Sequence, residues 1–460
     1  MRPGFDLQGK RVLVLGLART GTVASLFAAG YGATVTATDE KPESKLAETA
    51  AKLRAAGVRL VLGVHAPDVF VEQDLIVVSP GVPANLPALV LARKAGTPVW
   101  SEIELAWRFL RGKLVAITGS NGKTTTTSLV AHILRIAGIP TLAGGNIGVP
   151  LLSLVESSTD SSVTVAELSS FQLETIEMLR PEIGVLLNLT LDHLDRHESF
   201  EHYAAAKMRL FENQLDRDAA VLNADDPEVT KRMPSGPHIF WFSRQKRVAQ
   251  GSFLRDGQII FRNEGSEVVV GRCDEIHLRG EHNVENVLAA CAAAYLAGAT
   301  PAAIASGIQT FRGVEHRLEF VAEVNGVQFY NDSKATNVDS AIKAIEAFPG
   351  RLIVILGGKD KGSPYTRLCE MLHRRARMAI LIGAATEKIA EDLADAVPLI
   401  RAETLDRAVQ LASEQARPGD VVLLSPACSS FDQFEDYEHR GRTFKQLVAQ
   451  IEDRSAARKG

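Results

Sequence analysis

The stretch "LVAITGSNGKTTTTSLVAHIL", residues 114–134, changes character twice. Its first five residues are apolar or β-branched and predict a strand buried on both faces. Gly119 and Gly122 then bracket a polar turn, and an apolar helix opens on four threonines. A complete GxxxxGK[ST] phosphate loop would need glycine where Ile117 stands, so the match is partial. The parts that bind remain. Glycines let backbone N–H groups converge on an oxyanion, and the helix N-terminus adds about half a positive charge. Gly119, Ser120, Asn121, Gly122, Lys123, Thr124 and Thr125 are therefore the expected phosphate contacts. Lys123 would reach the β- and γ-phosphates, and the Thr124 hydroxyl would ligate Mg²⁺. The competing reading is an ordinary strand–turn–helix with a solvated lysine. A lysine set between glycine and four threonines weighs against it.

Outward from this turn, β-branched runs alternate with Ala/Leu-rich helical stretches, the pattern of parallel sheets covered by helices. "RVLVLGL" (11–17), "ATVTATD" (33–39) and "DLIVVSPG" (74–81) form a first set. "SVTVAELSS", "EIGVLLNLT" and "AAVLNADD" continue the second, and "RLIVILGG" (351–358), "RMAILIG" (377–383) and "DVVLLSPA" (420–427) make a third. Strand runs broken by Asp-Gly and Glu-Gly within 251–276 predict hairpins. The expected fold class is α/β in three domains. These are a Rossmann-like N-terminal domain (1–102), a central P-loop-type ATPase domain (103–312) and a C-terminal Rossmann-like α/β domain (313–460). The last residues, "EDRSAARKG", read as a frayed tail.

Composition narrows the class. The 460 residues carry 51 basic and 55 acidic side chains, a net charge of 51 − 55 = −4, with no basic block, so nucleic acid is not an expected partner. The N-terminus lacks a signal-peptide core, and no apolar run reaches the roughly 18 residues of a membrane span. The four cysteines are widely spaced and read as thiols of a reducing cytoplasm. No heptad or interface signal appears, so the sequence pattern leaves the oligomeric state open, and a monomer is implied only by the family resemblance given below.

The metal candidates follow the phosphate turn. "TVAELSSFQLE" ends a buried strand on Glu167, where a carboxylate is costly unless paired or metal-bound. "NLTLDHLDRHESFEHYAAAK" supplies Asp192, His193 and Asp195, then Lys207 on a helix. Taken singly, His193 reads as a hydrogen-bonded loop histidine and Lys207 as a solvated lysine. Together with TGSNGKT they resemble the Mur ligases, the ATP-dependent amino-acid-adding enzymes of peptidoglycan synthesis. The resemblance implies ATP and two Mg²⁺ ions, with Thr124, Glu167, His193 and a carbamylated Lys207 at the metals. Lys123, His193, Lys207 and Arg317 would be catalytic. A protonated lysine at ~4 Å from Mg²⁺ would be repelled by about 8 kcal/mol at an effective dielectric near 20. A carbamate reverses that sign and offers oxygens to a hard cation.

Within the family, the remaining strings resemble the branch that joins D-glutamate to UDP-N-acetylmuramoyl-L-alanine. "GLARTG" (16–21) is a GxGxxG with Ala18 at its centre, followed by Asp39 at a strand end; alone it is a weak dinucleotide fingerprint or a bare βα turn. The resemblance gives Arg19, Thr20, Asp39, Ser79, Gly81, Asn146 and Ser169 to the UDP substrate. "FYNDSKATN" (329–337), "GGKDKG" (357–362) and "LLSPACSSFDQFEDYEHRG" (423–441) imply Lys334, Thr336, Lys361, Ser430 and Tyr437 for the amino acid, cations and hydroxyls suited to its two carboxylates. Bland readings stand beside these: Lys359 competes with Lys361, and Ser429 or Ser430 reads as a helix N-cap. Asn283 and Asn286, three apart on a helix, would lie near adenine, Asn283 reading also as that helix's cap. Arg317 with Asp332 would reach the ATP from the third domain, so that closure assembles the site. The implied chemistry is an acyl phosphate attacked by the glutamate amine; the sequence names no general base. Rival readings fit less. A folylpolyglutamate synthase has no use for the N-terminal domain, Ala18 weakens an NAD oxidoreductase, and a nucleotide switch leaves His193, Lys207 and the third domain without a role.

Overall fold

The computed structural model describes residues 5–63, 65, 67–146, 148–190, 197–278, 280–360, 362 and 364–457. It contains three sheets in two compact units, one formed by Met1–Ile276 with His282–Phe311 and the other by His277–Glu281 with Arg312–Gly460.

The first sheet is five-stranded and parallel, in the order Arg59–Leu62, Thr34–Asp39, Arg11–Leu15, Leu75–Val78, Val99–Ser101. The strand order reverses between Arg11–Leu15 and Leu75–Val78, and in open α/β sheets the crevice at the carboxyl ends of such a switch point is where ligands bind. The second sheet has nine strands. Seven are parallel: Gly251–Arg255, His238–Ser243, Ala219–Asn223, Ile183–Leu186, Lys113–Thr118, Val163–Glu167 and Thr141–Gly145. Gln258–Asn263 and Ser266–Arg272 extend the edge antiparallel. Their two-residue turns, Asp256–Gly257 and Glu264–Gly265, hold every residue at positive φ (50°, 75°, 48° and 79°), the geometry the Asp-Gly and Glu-Gly pairs predict.

The first two sheets share one apolar cluster, running from Leu7, Val12 and Leu75 through Trp100, Ile103 and Phe109 to Leu114, Ala116 and Leu186. At its centre lies the helix Glu102–Phe109, of which seven of eight residues are buried. Its Glu104 side chain is 0 % exposed, and one carboxylate oxygen accepts the backbone N–H groups of Glu177, Met178 and Leu179 at 3.0, 3.1 and 2.8 Å. The other oxygen accepts from Arg108 at 2.9 Å. Three bonds to one oxygen pin the two sheets together at a point no local pattern marks.

The third sheet, in the second unit, runs Glu319–Val324, Val327–Asn331, Val421–Leu424, Leu352–Gly357, Ala376–Ile382, Leu399–Glu403 and is parallel apart from its first strand. The closing helix spans Tyr437–Ala457. It continues through most of the expected frayed tail, because Phe444, Val448 and Ile451 seat one face on the sheet and the residues beyond are helix formers. All four cysteines are free, Cys291 and Cys428 buried, Cys273 and Cys369 partly exposed. Among the described residues no helix is long and apolar enough to cross a membrane.

Candidate active site

The phosphate turn joins the strand Lys113–Thr118 to the helix Lys123–Ile136. Gly122 occupies the cap position at φ 85°, and a Cβ there would overlap the Asn286 side-chain oxygen. Gly119, at φ 152°, lies where a Cβ would come within 2.9 Å of Leu187. The turn is therefore glycine-dependent on both sides. Asn188 clamps it: its Oδ1 accepts the Asn121 N–H at 2.8 Å and its Nδ2 donates to the Asn121 carbonyl at 3.1 Å. Ser120 Oγ receives the Tyr203 hydroxyl at 2.9 Å and the Thr190 N–H at 2.9 Å. The Lys123 ammonium folds back onto the carbonyls of Gly119 and Ser120, 2.9 Å from each. Thr124 and Thr125 are 5 % and 7 % exposed. Asn286 Nδ2 donates to Asn283 Oδ1 at 2.9 Å, so both asparagines sit over the Gly122 side of the turn. Their helix begins at Glu281, which puts Asn283 in its first turn rather than at its cap.

Glu167 ends its strand 2 % exposed. One carboxylate oxygen accepts from Thr124 Oγ1 at 2.8 Å, the other from Asn146 Nδ2 at 2.9 Å. Both partners are neutral, and among the described residues no cation stands within ion-pair distance. A buried carboxylate with a hydroxyl beside it, next to a phosphate turn, is the oxygen-donor set a hard divalent cation uses. Lys207, also 2 % exposed, donates to the Gly119 carbonyl at 3.0 Å, and its ammonium lies 4.7 Å from the Tyr203 ring centre. Thr124, Glu167, Asn146 and Lys207 thus converge on one end of the sheet. Asp192, His193 and Asp195 lie outside the described residues. The following His197 is buried, with Nε2 3.0 Å from Ser170 Oγ and its ring stacked on Phe171. Ser169 caps a short helix in a capping box with Gln172.

At the crevice of the first sheet, Asp39 Oδ2 accepts the Leu17 N–H at 2.7 Å and Oδ1 accepts the Lys41 N–H at 2.8 Å. Asp39 thereby fixes the GLARTG turn. Ser79 Oγ donates to the Gly16 carbonyl at 2.7 Å, tying the two switch-point strands together. Gly21 is obligatory, since a Cβ would overlap the Gly16 carbonyl oxygen. Arg19 and Gly81 are exposed at the rim, and Thr20 is partly exposed.

The second unit gathers the remaining candidates. Arg317 lies between His316 and Leu318, both at positive φ (63° and 44°), a strained turn held by a hydrogen bond from the His316 N–H to Glu319 at 2.8 Å. Asp332, 5 % exposed, accepts from the Leu318 N–H and from Ser425 Oγ; burial pushes its pKa up to about 7 against the opposing pull of Arg317 and Lys334. The Lys334 ammonium is 5.8 Å from the centre of the Tyr437 ring, and Thr336 is two residues on, partly exposed. Ser430 is 2 % exposed, and its carbonyl accepts from Gln433 and Phe434. Turns follow it and the next helix starts at Tyr437, so neither Ser429 nor Ser430 caps a helix. Lys361 lies outside the described residues, and Lys359 is exposed.

Three residues escaped the sequence reading. Arg440 is 1 % exposed and donates to the carbonyls of Cys428 (3.3 and 3.2 Å) and Ser333 (2.8 Å), clamping together the strings 329–337 and 423–441; burial brings its pKa down to about 10. His316 packs where Gly441 leaves room. Tyr203 had a usable signal, since it precedes Lys207 by four residues and so shares its helix face. Arg440 reaches back 107 residues to Ser333, and His316 meets Gly441 only in the folded unit, so these contacts have no signal in the sequence.

Family profiles match most of the chain. The MurD-like N-terminal domain of Mur ligases covers 10–101, the Mur ligase middle domain 117–294 and the Mur ligase glutamate ligase domain 316–428. The chain belongs to the Mur ligase family. Two of its relatives carry the name UDP-N-acetylmuramoylalanine–D-glutamate ligase. That of Koribacter versatilis is 52 % identical, covering 97 % of this chain and 99 % of the relative. That of Acidobacterium capsulatum is 54 % identical, covering 96 % and 97 %. The fold is shared with UDP-N-acetylmuramate–alanine ligase of Thermotoga maritima, at TM-score 0.58 and 20 % identity over 96 % of this chain and 99 % of that one.

Proposed function

We propose that this protein is the ATP-dependent ligase that adds D-glutamate to UDP-N-acetylmuramoyl-L-alanine in peptidoglycan precursor synthesis, releasing ADP and phosphate. The observation that carries the reading is identity above 50 % along the full length of enzymes so named, together with a phosphate turn whose parts are in place. The domains are assigned as 1–102 for the UDP substrate, 103–312 for ATP and 313–460 for the amino acid.

A carboxylate is a poor electrophile, so the L-alanine carboxylate first takes the γ-phosphoryl group of ATP. Lys123 leaves the Gly119 and Ser120 carbonyls for the phosphates, and the amides of 119–125 neutralise charge developing on the equatorial oxygens. Thr124, Glu167, His193 and Lys207 are the residues that would hold Mg²⁺, Lys207 as a carbamate. Bound there, the cation screens the triphosphate and polarises the transferred group. Asn283 and Asn286 are assigned to adenine, Arg317 and Asp332 to ATP. Arg19, Thr20, Asp39, Ser79, Gly81, Asn146 and Ser169 serve the UDP substrate. Lys334, Thr336, Lys361, Ser430 and Tyr437 bind the glutamate carboxylates and aim its neutral amine at the acyl phosphate. The amine attacks the carbonyl carbon, and the tetrahedral adduct expels phosphate.

The test is phosphate release with Mg²⁺-ATP and UDP-N-acetylmuramoyl-L-alanine, comparing D-glutamate, L-glutamate, L-lysine and meso-diaminopimelate, with Lys123→Ala as blank. Release stimulated by D-glutamate alone supports the reading. Equal release with any of the others overturns the substrate assignment.

A further inference from the structure

Behind the amino-acid strings of the second unit lies a buried polar chain that the reaction as described does not use. Tyr365 is 1 % exposed, and its hydroxyl is 2.8 Å from Asp360 Oδ1 and 2.9 Å from Cys428 Sγ. Lys388 donates to Asp360 Oδ2 at 2.9 Å, and the Gly362 N–H donates to Oδ1 at 3.0 Å. Lys388 and these hydrogen bonds hold the Asp360 carboxyl below its ordinary range, so it is an acceptor only. The order of protons is then fixed. Tyr365 O–H donates to Asp360, and the Cys428 thiol, kept protonated by burial with a pKa near 11, donates to the Tyr365 oxygen.

The two ends of this chain belong to different strings. Asp360 sits in GGKDKG, next to Lys361. Cys428 sits in SPACSS, two residues before Ser430. The same strings are zipped by the Lys359 N–H to the Ser429 carbonyl (2.9 Å) and by Ser429 Oγ to the Lys359 carbonyl (3.1 Å). The Ala427 N–H reaches the Ala335 carbonyl at 2.9 Å, bringing in the string that holds Lys334 and Thr336. One phenol hydroxyl, out of reach of solvent, therefore spans two of the three segments assigned to glutamate.

We infer that Tyr365 is a positioning residue for the amino-acid substrate, its hydroxyl setting the spacing between Asp360 and the Cys428–Ser430 segment. The inference rests on the proposed ligase function. A glutamate gripped through both carboxylates tolerates little error in the distance between its grips. Removing the hydroxyl leaves the ring, and the packing it provides, in place.

The experiment is Tyr365→Phe in the full chain, with KM measured for all three substrates, kcat, and thermal midpoint. The expected result is a KM for D-glutamate raised about 5- to 30-fold, with the other two KM values and kcat within twofold. Cys428→Ala, which keeps the Tyr365–Asp360 bond, should give a smaller rise of the same selectivity. A D-glutamate KM within twofold of wild type overturns the assignment. So does a parallel rise of all three KM values with a lowered thermal midpoint, which marks a purely structural role. Absence of D-glutamate-dependent release in the wild type itself would topple the ligase reading and this assignment with it.

Discussion

Gly122→Ala isolates what the phosphate turn demands. At φ 85° an alanine costs about 1 kcal/mol relative to glycine. Its methyl group would also displace the Asn286 side chain and break the 2.9 Å Asn286–Asn283 bond, between residues 4 % and 8 % exposed. A buried amide left without its partner adds roughly 1–3 kcal/mol. Gly138→Ala is the control, at φ 73° with nothing within 4 Å of its new methyl group. Both variants should lose the strain term in stability. Only Gly122→Ala should lose the second term, and in steady-state kinetics its ATP KM should rise about 5- to 150-fold, the factor that 1–3 kcal/mol represents. The KM for the UDP substrate should stay within twofold. Equal ATP KM values in the two variants would refute the idea that Gly122 is kept to seat Asn286.

Two stability predictions follow from the helix that joins the first two sheets. Glu104→Ala orphans three backbone N–H groups and the partner of Arg108 and should cost about 3–5 kcal/mol, the scale of breaking a buried charged network. Urea unfolding reads this directly, and a loss under about 1 kcal/mol would mean that water replaces the carboxylate. Glu102 is 1 % exposed, accepts the Leu152 N–H at 2.7 Å, and burial pushes its pKa up to about 7. A carboxyl whose folded pKa is raised above its unfolded value stabilises at low pH, and that stability is lost as pH rises toward 7. Relative to Glu102→Gln, the wild type should therefore lose on the order of 2–3 kcal/mol between pH 5 and pH 8 in urea midpoints; identical pH slopes would sink the claim.

The geometry of the phosphate turn is legible in the sequence because it is local. Glycine spacing, a lysine at a helix start and a strand-end carboxylate sit within a few residues of their partners, and the Asp-Gly and Glu-Gly turns dictate their own φ. The strands Arg59–Leu62 and Val99–Ser101 carry no clear signal because they are short edge strands without the buried β-branched run that marks Leu75–Val78. Glu104 resembles any helical glutamate facing water until the fold brings residues 177–179 onto it. Tyr365, His316 and Arg440 are silent for the same reason: Cys428, Gly441 and Ser333, on which they act, are brought to them by the sheet topology. Asp39, which only the family resemblance gives to the UDP substrate, builds the GLARTG turn in the structure, a role that its place at a strand end serves.

The single oxygen of Glu104 that receives three backbone donors has a thermodynamic consequence. It makes the first two sheets one cooperative unfolding unit, so neither can loosen without exposing the shared apolar cluster. A nucleotide sugar bound at 100 times its Kd on the first sheet would contribute about 2.7 kcal/mol to that unit as a whole. The phosphate turn, on the other sheet, would share in this protection against opening although no atom of the sugar need touch it. Binding at the first sheet would in this way stiffen the phosphate turn through the fold itself.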